Sequence, residues 1–504
     1  MNSALPEGLE RLPAKERERQ ERGVPEERRL EAVLRNPATY TFGADFDLPD
    51  PSLGGRPAQY PLWLWRIYGC VADIYGSARN ADTHLADPIT GRWEQIRTAA
   101  AEMTGTVLPA TPPSRSWYVK TRDRKSLPNL HLLRLQQIDE AVTAAREVGL
   151  ADPDKPFDVK DRERRVVADG HVITPITDAA KGTTKRTKAR NIETGEIVEY
   201  DRPVRYDPDV KMHTTGDKRR VVGNMVWHGY VRGPQPFRRV VLAVDSVPGV
   251  KGQQNSENHV MMRNFELLAT DKRLGIVGAT IDGVARGVDL DRMQSEWGWI
   301  PASPVAARSI NDKTGERTEK EGPFDSYTLP GCTGGPVKVH YHGGRLVKAE
   351  ILEDGRTAFT PLKHKQVRRR PNKNGTWRVY VEYELPCNCG NHSRAVLEPT
   401  IITDKDREKN FNRGENIRAI PPGTDLYEDC YTNRSAIEGD NRRIDDHLQS
   451  GRARSYGRDR QLLDLLAHQH HLNSLALHLH GPQAPTGPGR PIEPADAPAP
   501  PVAA

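Results

Sequence analysis

The spacing of apolar positions along the chain changes near residues 160, 301 and 400. Between 62 and 149 it is helical. LWLWRIYGCVADIY is apolar almost all round and predicts a buried helix. Trp93, Ile96, Ala100, Met103 and Val107, then Leu132, Leu135, Ile138, Val142 and Ala145, recur at three- and four-residue steps and predict two amphipathic helices. The proline-rich LPATPPSRSW between them reads as a loop. From 160 the runs shorten. RRVVADGHVITPI, RRVVGNMVWHGYVRG and FRRVVLAVDSV predict strands, SENHVMMRNFELLATDK a helix, and LGIVGATIDG a fourth strand. Residues 301–395 are β-rich: VKVHYHGGRLVKAEI predicts a hairpin on a Gly-Gly turn, and Trp377, Val379, Val381, Tyr383 and Leu385 alternate as in a half-buried strand. Residues 431–450 and 458–480 return to helical spacing.

These changes divide the chain into a charged arm and linker (1–61), a helical domain that is a candidate DNA-binding unit (62–155), the first part of an α/β core (156–300), a β-rich insertion (301–395), the second part of the core (396–480) and a disordered Pro/Ala tail (481–504). The fold class expected is α/β. Hydrophobic residues make up 36% of the 504 and mean hydropathy is −0.71, so part of the chain is expected to be exposed. With 74 basic and 68 acidic residues the net charge is +6, which permits a nucleic-acid partner without selecting one. Five cysteines in so long a chain do not form a disulfide framework and suit a reducing compartment. The first residues lack the apolar segment of a secretory signal, and no apolar run is long enough to span a bilayer. The expectation is a cytoplasmic protein with no membrane partner.

Strand, strand, strand, helix, strand, and later a helix, is the chain order of an RNase H-like core. In that fold carboxylates from the first strand, the fourth strand and the late helix can converge at one edge of the sheet. They could hold two divalent ions, roughly 3.5–4 Å apart, that act on a phosphodiester. Acidic residues stand at all three places. Asp169 ends the first strand in VVADG, Asp282 ends the fourth in GATIDG, and Glu438 lies in YTNRSAIEGDNRRIDD. Asp-Gly after a strand is also a common turn. In the late helix Tyr431, Arg434 and Glu438 are spaced to share one face, where an arginine suits a phosphate and a glutamate a hard cation. Asp245, in VVLAVDSVPG, is the rival for the first carboxylate. It leaves room before Asp282 for a helix but not for the hairpin that should separate first and fourth strands; Asp169 leaves room for both.

The run Tyr431-Thr432-Asn433-Arg434-Ser435-Ala436-Ile437-Glu438 matches Y-x2-R-x3-E without a gap, and through it the chain resembles insertion-sequence DDE transposases. IDGVARGVDLDRM (281–293) is similar to the YDGALRG segment of that family, and a β-rich insertion before the glutamate is a family feature; the resemblance spans roughly 160–480. It implies metal-dependent cleavage and strand transfer of double-stranded DNA, both transposon ends and target. It further implies two Mg²⁺ or Mn²⁺ ions on Asp169, Asp282 and Glu438, DNA contacts from Tyr431 and Arg434, and a homodimer. The chain departs from the family pattern at Asp445, where a lysine is common, with Arg442 and Arg443 nearby as substitute basic contacts, and at Ile281, where a tyrosine is usual. A nuclease without strand transfer and a transposase-derived DNA-binding protein without catalysis are the alternatives.

Other clusters are less specific. Cys387, Cys389 and His392 in C-x-C-x2-H could bind a structural Zn²⁺ with a fourth ligand from Cys332 or a histidine, or form a turn with reduced thiols. The basic runs at 181–190 and 363–375 read either as solvated loops or as phosphate contacts. His468, His470, His471, His478 and His480 crowd the last helix and are expected on its surface rather than in a metal site.

Overall fold

The computed structural model describes residues 23–44, 46, 58–214, 220–249, 254–311, 314, 316–328, 335–386, 392–400, 403–434, 441, 444, 445, 448 and 451–482. Within them the chain is a mixed α/β protein with several separate sheets.

The N-terminal part is helical. Helix α1 (Glu26–Arg35) is charged on one side and buries Leu30, Val33 and Leu34 on the other, so part of the expected arm joins the core. Helix α2 (Trp63–Ile74) is buried on every side. The helix Arg92–Thr104 stops at Gly105, whose φ of 70° leaves the helical region, and Val107 beyond it is exposed rather than part of the apolar stripe. Helix α3 (Leu130–Glu147) buries Leu133, Ile138, Ala141, Val142 and Ala145, while Leu135 is turned outward.

The central sheet begins with β1 (Arg165–Ile173). Its connection to the next central strand carries a two-stranded ribbon, β2 (Thr184–Arg190) and β3 (Ile197–Pro203), and the short β4 (Lys211–Thr214). Strand β5 (Arg220–Arg232) returns antiparallel to β1, and β6 (Arg239–Ser246) runs antiparallel to β5. Helix α4 (Glu257–Thr270) leads to the short β7 (Gly278–Thr280), which lies parallel to β1. Side by side the order is β6, β5, β1, β7, with Ala302 making one parallel bridge to Thr280 beyond. Helix α5 (Gly287–Ser295) follows.

Side-chain alternation gives the sheet two different faces. Val166, Ala168, Trp227, Leu242, Ala279 and Ile281 pack against α3, α4 and α5. Val167, Ile173, Val226, Tyr230 and Val241 pack into the core formed with α1 and α2. The strands between 309 and 397 do not extend this sheet. They form separate sheets with their own core around Val339, Leu346, Val379, Val381 and Tyr383. In that segment the Gly-Gly hairpin is present, with Gly343 at φ 55° and Gly344 at φ 87°, the left-handed pair that a two-residue turn requires.

The insertion core continues into helix α6 (Asp425–Tyr431), which starts earlier than expected because Thr424 caps it by accepting from the Tyr427 amide. Helix α7 (Arg458–His480) overturns the expectation of surface histidines. His468, His470 and His471 are buried because each finds a polar partner. His468 and His471 each donate from Nδ1 to Oδ2 of Asp73, 2.9 Å in both cases, while Arg454 donates to Oδ1 at 3.0 Å. His470 meets Thr39 at 2.8 Å. Gln469 and Asn473 satisfy the outward backbone groups of Val241 on edge strand β6, so the helix also seals that edge.

Asp73 thus braces α2 against α7 through a buried carboxylate. Replacing Asp73 by alanine leaves the buried Arg454 guanidinium without this counter-charge and should cost about 3–5 kcal/mol, measured by denaturant unfolding. A loss below about 1 kcal/mol would show that the brace is not structural.

Candidate active site

The register of β1 against β7 builds the site. Val167 pairs with Thr280 in parallel, so Asp169 and Asp282, each two residues further on, lie at the same level and on the same face. Asp282 follows the end of β7, whereas Asp169 stands in the middle of β1 rather than at the strand end expected, because β1 stays paired with β5 through Ile173. Neighbouring strands lie roughly 4.8 Å apart, which brings the two carboxylates into each other's field. The same face holds His171 on β1 and His228 on β5, the latter directly opposite Asp169.

The segment after α6 covers this face. The Thr280 hydroxyl donates to the Cys430 carbonyl at 3.0 Å, fixing the end of α6 over β7. Tyr431 closes the helix and stacks on Tyr427, with ring centroids 4.7 Å apart. Arg434 follows in a 3₁₀ turn. It donates to the Tyr431 hydroxyl at 3.1 Å and reaches Asp282 at 3.9 Å. Asn441 donates to Asp169 at 3.2 Å and accepts from His228 at 2.8 Å. Burial pushes the His228 imidazole down to about 4, so it is a neutral donor at pH 7. Asp445, which stands where the resemblance leads one to expect lysine, pairs with His171 at 2.9 Å. Glu438, Arg442, Arg443, Cys387, Cys389 and the His392 side chain lie outside the described residues.

A further carboxylate reaches the site from the other face. Glu257 is the first residue of α4, and its Oε1 lies so close over Gly170 that a Cβ there would be 2.4 Å away. Burial, then the charges of Asp282 and Asp169, push the Glu257 carboxyl up to about 8. Burial and the Asp282 charge also hold Asp169 above the usual carboxylate range, against the opposing effects of Arg434 and Asn441. Burial works to lower the Arg434 pKa, but Tyr431, Asp169 and Asp282 raise it. Among the described residues the site is therefore a crowded set of acids facing the Arg434 guanidinium, an arrangement that a divalent cation would relieve.

Asp245 is elsewhere. It pairs with Trp227 on β5, one residue out of phase with His228, so it points to the opposite face. There Arg263 at 2.6 Å, Arg134 at 3.2 Å and Asn264 at 3.1 Å neutralise it. A different group meets the spacing of metal ligands more closely: Asp73, His468 and His471 place ligand atoms within 4.8 Å of one another, and this buried cluster could hold a metal. Arg454 on the same carboxylate already completes it as a hydrogen-bond network.

Sequence reasoning missed Glu257, Asn441, His171 and His228. The signal available for Glu257 was its place at a helix start immediately after the third central strand, the same end of the sheet to which Asp169 belongs. Comparison with protein-family models, curated proteins and solved structures found no match for this chain.

The contact between Gly170 and Glu257 is testable. Gly170→Ala forces a methyl group against Glu257 Oε1 and the Met225 methyl, and should destabilise by about 1–3 kcal/mol. In a Glu257→Ala background the same change should cost at least about 0.5 kcal/mol less. Additive costs in thermal or chemical unfolding would place Glu257 away from Gly170.

Proposed function

We propose that this chain is a metal-dependent DNA strand-cleaving and strand-transferring enzyme of the DDE transposase kind, built on an RNase H-like core. One observation carries the reading. Two features separate in sequence, the aspartates of adjacent strands and the Tyr431–Arg434 part of the Y-x2-R-x3-E segment, meet in space where Arg434 faces Asp282 on the side of the sheet that also presents Asp169. The chain order of β1, β5, β6, α4 and β7, with β7 beside β1, supports the RNase H-like assignment.

In this reading Asp169 and Asp282 would hold Mg²⁺ or Mn²⁺, with Glu438 as the third ligand implied by the family pattern. Glu257, packed over Gly170 and within the electrostatic field of both aspartates, is the added candidate of this chain. The bound ions would supply Lewis-acid activation of a water or 3′-hydroxyl and stabilisation of the leaving oxygen. Arg434, held by Tyr431, offers a planar guanidinium to a phosphate. Asn441, fixed by neutral His228, orients Asp169. The double-stranded DNA partner, a homodimer and a structural zinc at Cys387, Cys389 and His392 remain part of the proposal. No helix among the described residues is long and apolar enough to cross a membrane.

Nicking of supercoiled plasmid in Mg²⁺ or Mn²⁺, and joining of a 3′-hydroxyl end, test it. Asp169→Asn and Glu438→Gln should each lower both by several orders of magnitude. If Glu438 is only a surface ion-pair partner, its glutamine variant should lose at most about 1 kcal/mol of stability and keep activity. Near-wild-type nicking by either variant overturns the assignment, and nicking without joining selects a nuclease.

A further inference from the structure

The ribbon β2–β3 is the feature of the fold that burial does not explain. Its residues are exposed on both strands, apart from half-buried Thr187, and among the described residues it pairs with no other strand. Isolated two-stranded ribbons are marginal in water, so one that packs on nothing needs another source of support. Exposed apolar side chains add to the anomaly: Ile192 is fully exposed, and Ile197, Val198 and Tyr200 are largely so.

Its charges are distributed by face. Between 181 and 205 there are seven basic and four acidic residues. Cross-strand pairing puts Arg186 opposite Asp201 and Lys188 opposite Glu199 on one face, where Glu199 also bonds Arg186 at 2.9 Å. The other face carries the pairs Lys185–Arg202, Thr187–Tyr200 and Ala189–Val198, with no acid among these paired residues. Like charges directly opposite each other destabilise a ladder, and among the described residues no ion pair joins Lys185 or Arg202 to an acid. An uncompensated cation pair, followed along the face by a hydroxyl, an aromatic ring and small apolar groups, complements a polyanion that also presents polar and apolar edges. The major groove of duplex DNA is such a surface, and its width of about 12 Å admits a two-stranded ribbon. The ribbon lies in the connection that leaves β1, the strand that carries Asp169, and returns as β5 beside it.

We propose that β2–β3 is a duplex-gripping arm that enters the major groove beside the Asp169–Asp282 site through its acid-free face, with Lys185 and Arg202 against phosphates. The proposal rests on the functional reading above and names the element that holds its DNA. A DNA duplex is favoured over an acidic protein because the face pairs cations with flat, hydroxyl-bearing and aromatic groups rather than with a deep apolar pocket.

The test uses the full chain and a fluorescent 30-base-pair duplex in anisotropy titrations at several salt concentrations. The double variant Lys185→Glu/Arg202→Glu, at two exposed sites, should bind roughly tenfold or more weakly, and the slope of log K against log salt should fall by about 1.8, the value for two lost phosphate contacts. Unchanged affinity and slope in the variant, with wild-type binding intact, overturns the arm and leaves the functional reading standing. Competition by polyglutamate as effective as unlabelled duplex overturns it in favour of a general acidic partner. Absence of duplex binding by the wild-type chain, together with absence of plasmid nicking, overturns both.

Discussion

Three parallel residue pairs between β1 and β7 are the constraint on which the rest depends. Arg165, Val166 and Val167 stand beside Gly278, Ala279 and Thr280. A slip by one residue would turn Asp282 to the other face and separate it from Asp169. The register is held by side chains. Buried Arg165 donates to the carbonyls of Ala279 and Ile300, and Gly278 admits the Ile300 carbonyl so closely that a Cβ there would lie 2.1 Å from it. On the same face the Thr280 hydroxyl ties β7 to Cys430. A three-residue strand is therefore enough, because side chains rather than ladder length fix its position.

The same alternation sorts the acids. Asp169 and Asp282 face the segment that carries Arg434 and Asn441, whereas Asp245, one step out of phase on β6, is enclosed by Arg134 and Arg263. One environment satisfies its buried carboxylate with arginines, and the other crowds carboxylates together against the Arg434 guanidinium. Crowding of like charges in a folded protein opposes stability unless a function or a cation offsets it. Glu257 sharpens the contrast, since Gly170 lets its carboxyl approach from the far side of the sheet.

Much of the framework was legible in the pattern of residues. The β-branched run before Asp282 marks a strand end, the Gly-Gly pair marks the hairpin at Gly343 and Gly344, and SENHVMMRNFELLATDK gives α4 almost to its ends. Asp169 reads as a strand end too, but β1 continues through Gly170 to Ile173 because its ladder with β5 runs on. What escaped depends on tertiary partners. The histidines of α7 look like surface residues because hydrophobic periodicity cannot see Asp73, nearly four hundred positions away, that makes their burial favourable. The ribbon β2–β3 has no apolar alternation because neither face is buried, so period-two reasoning passes over it. Helix α6 ends at Tyr431, so Tyr431 and Arg434 meet through a 3₁₀ turn rather than along one continuous helical face. Glu257 carries no motif; only the convergence of α4 with β1 gives it a role.

The central claim is that Asp169 and Asp282 form a cation site. Anomalous diffraction from crystals soaked in Mn²⁺ tests it most directly. The account predicts peaks bounded by the Asp169 and Asp282 carboxylates, with the Arg434 side chain beside them. Mn²⁺ bound at Asp73, His468 and His471 while Arg434 still faces an unliganded Asp282 would contradict it.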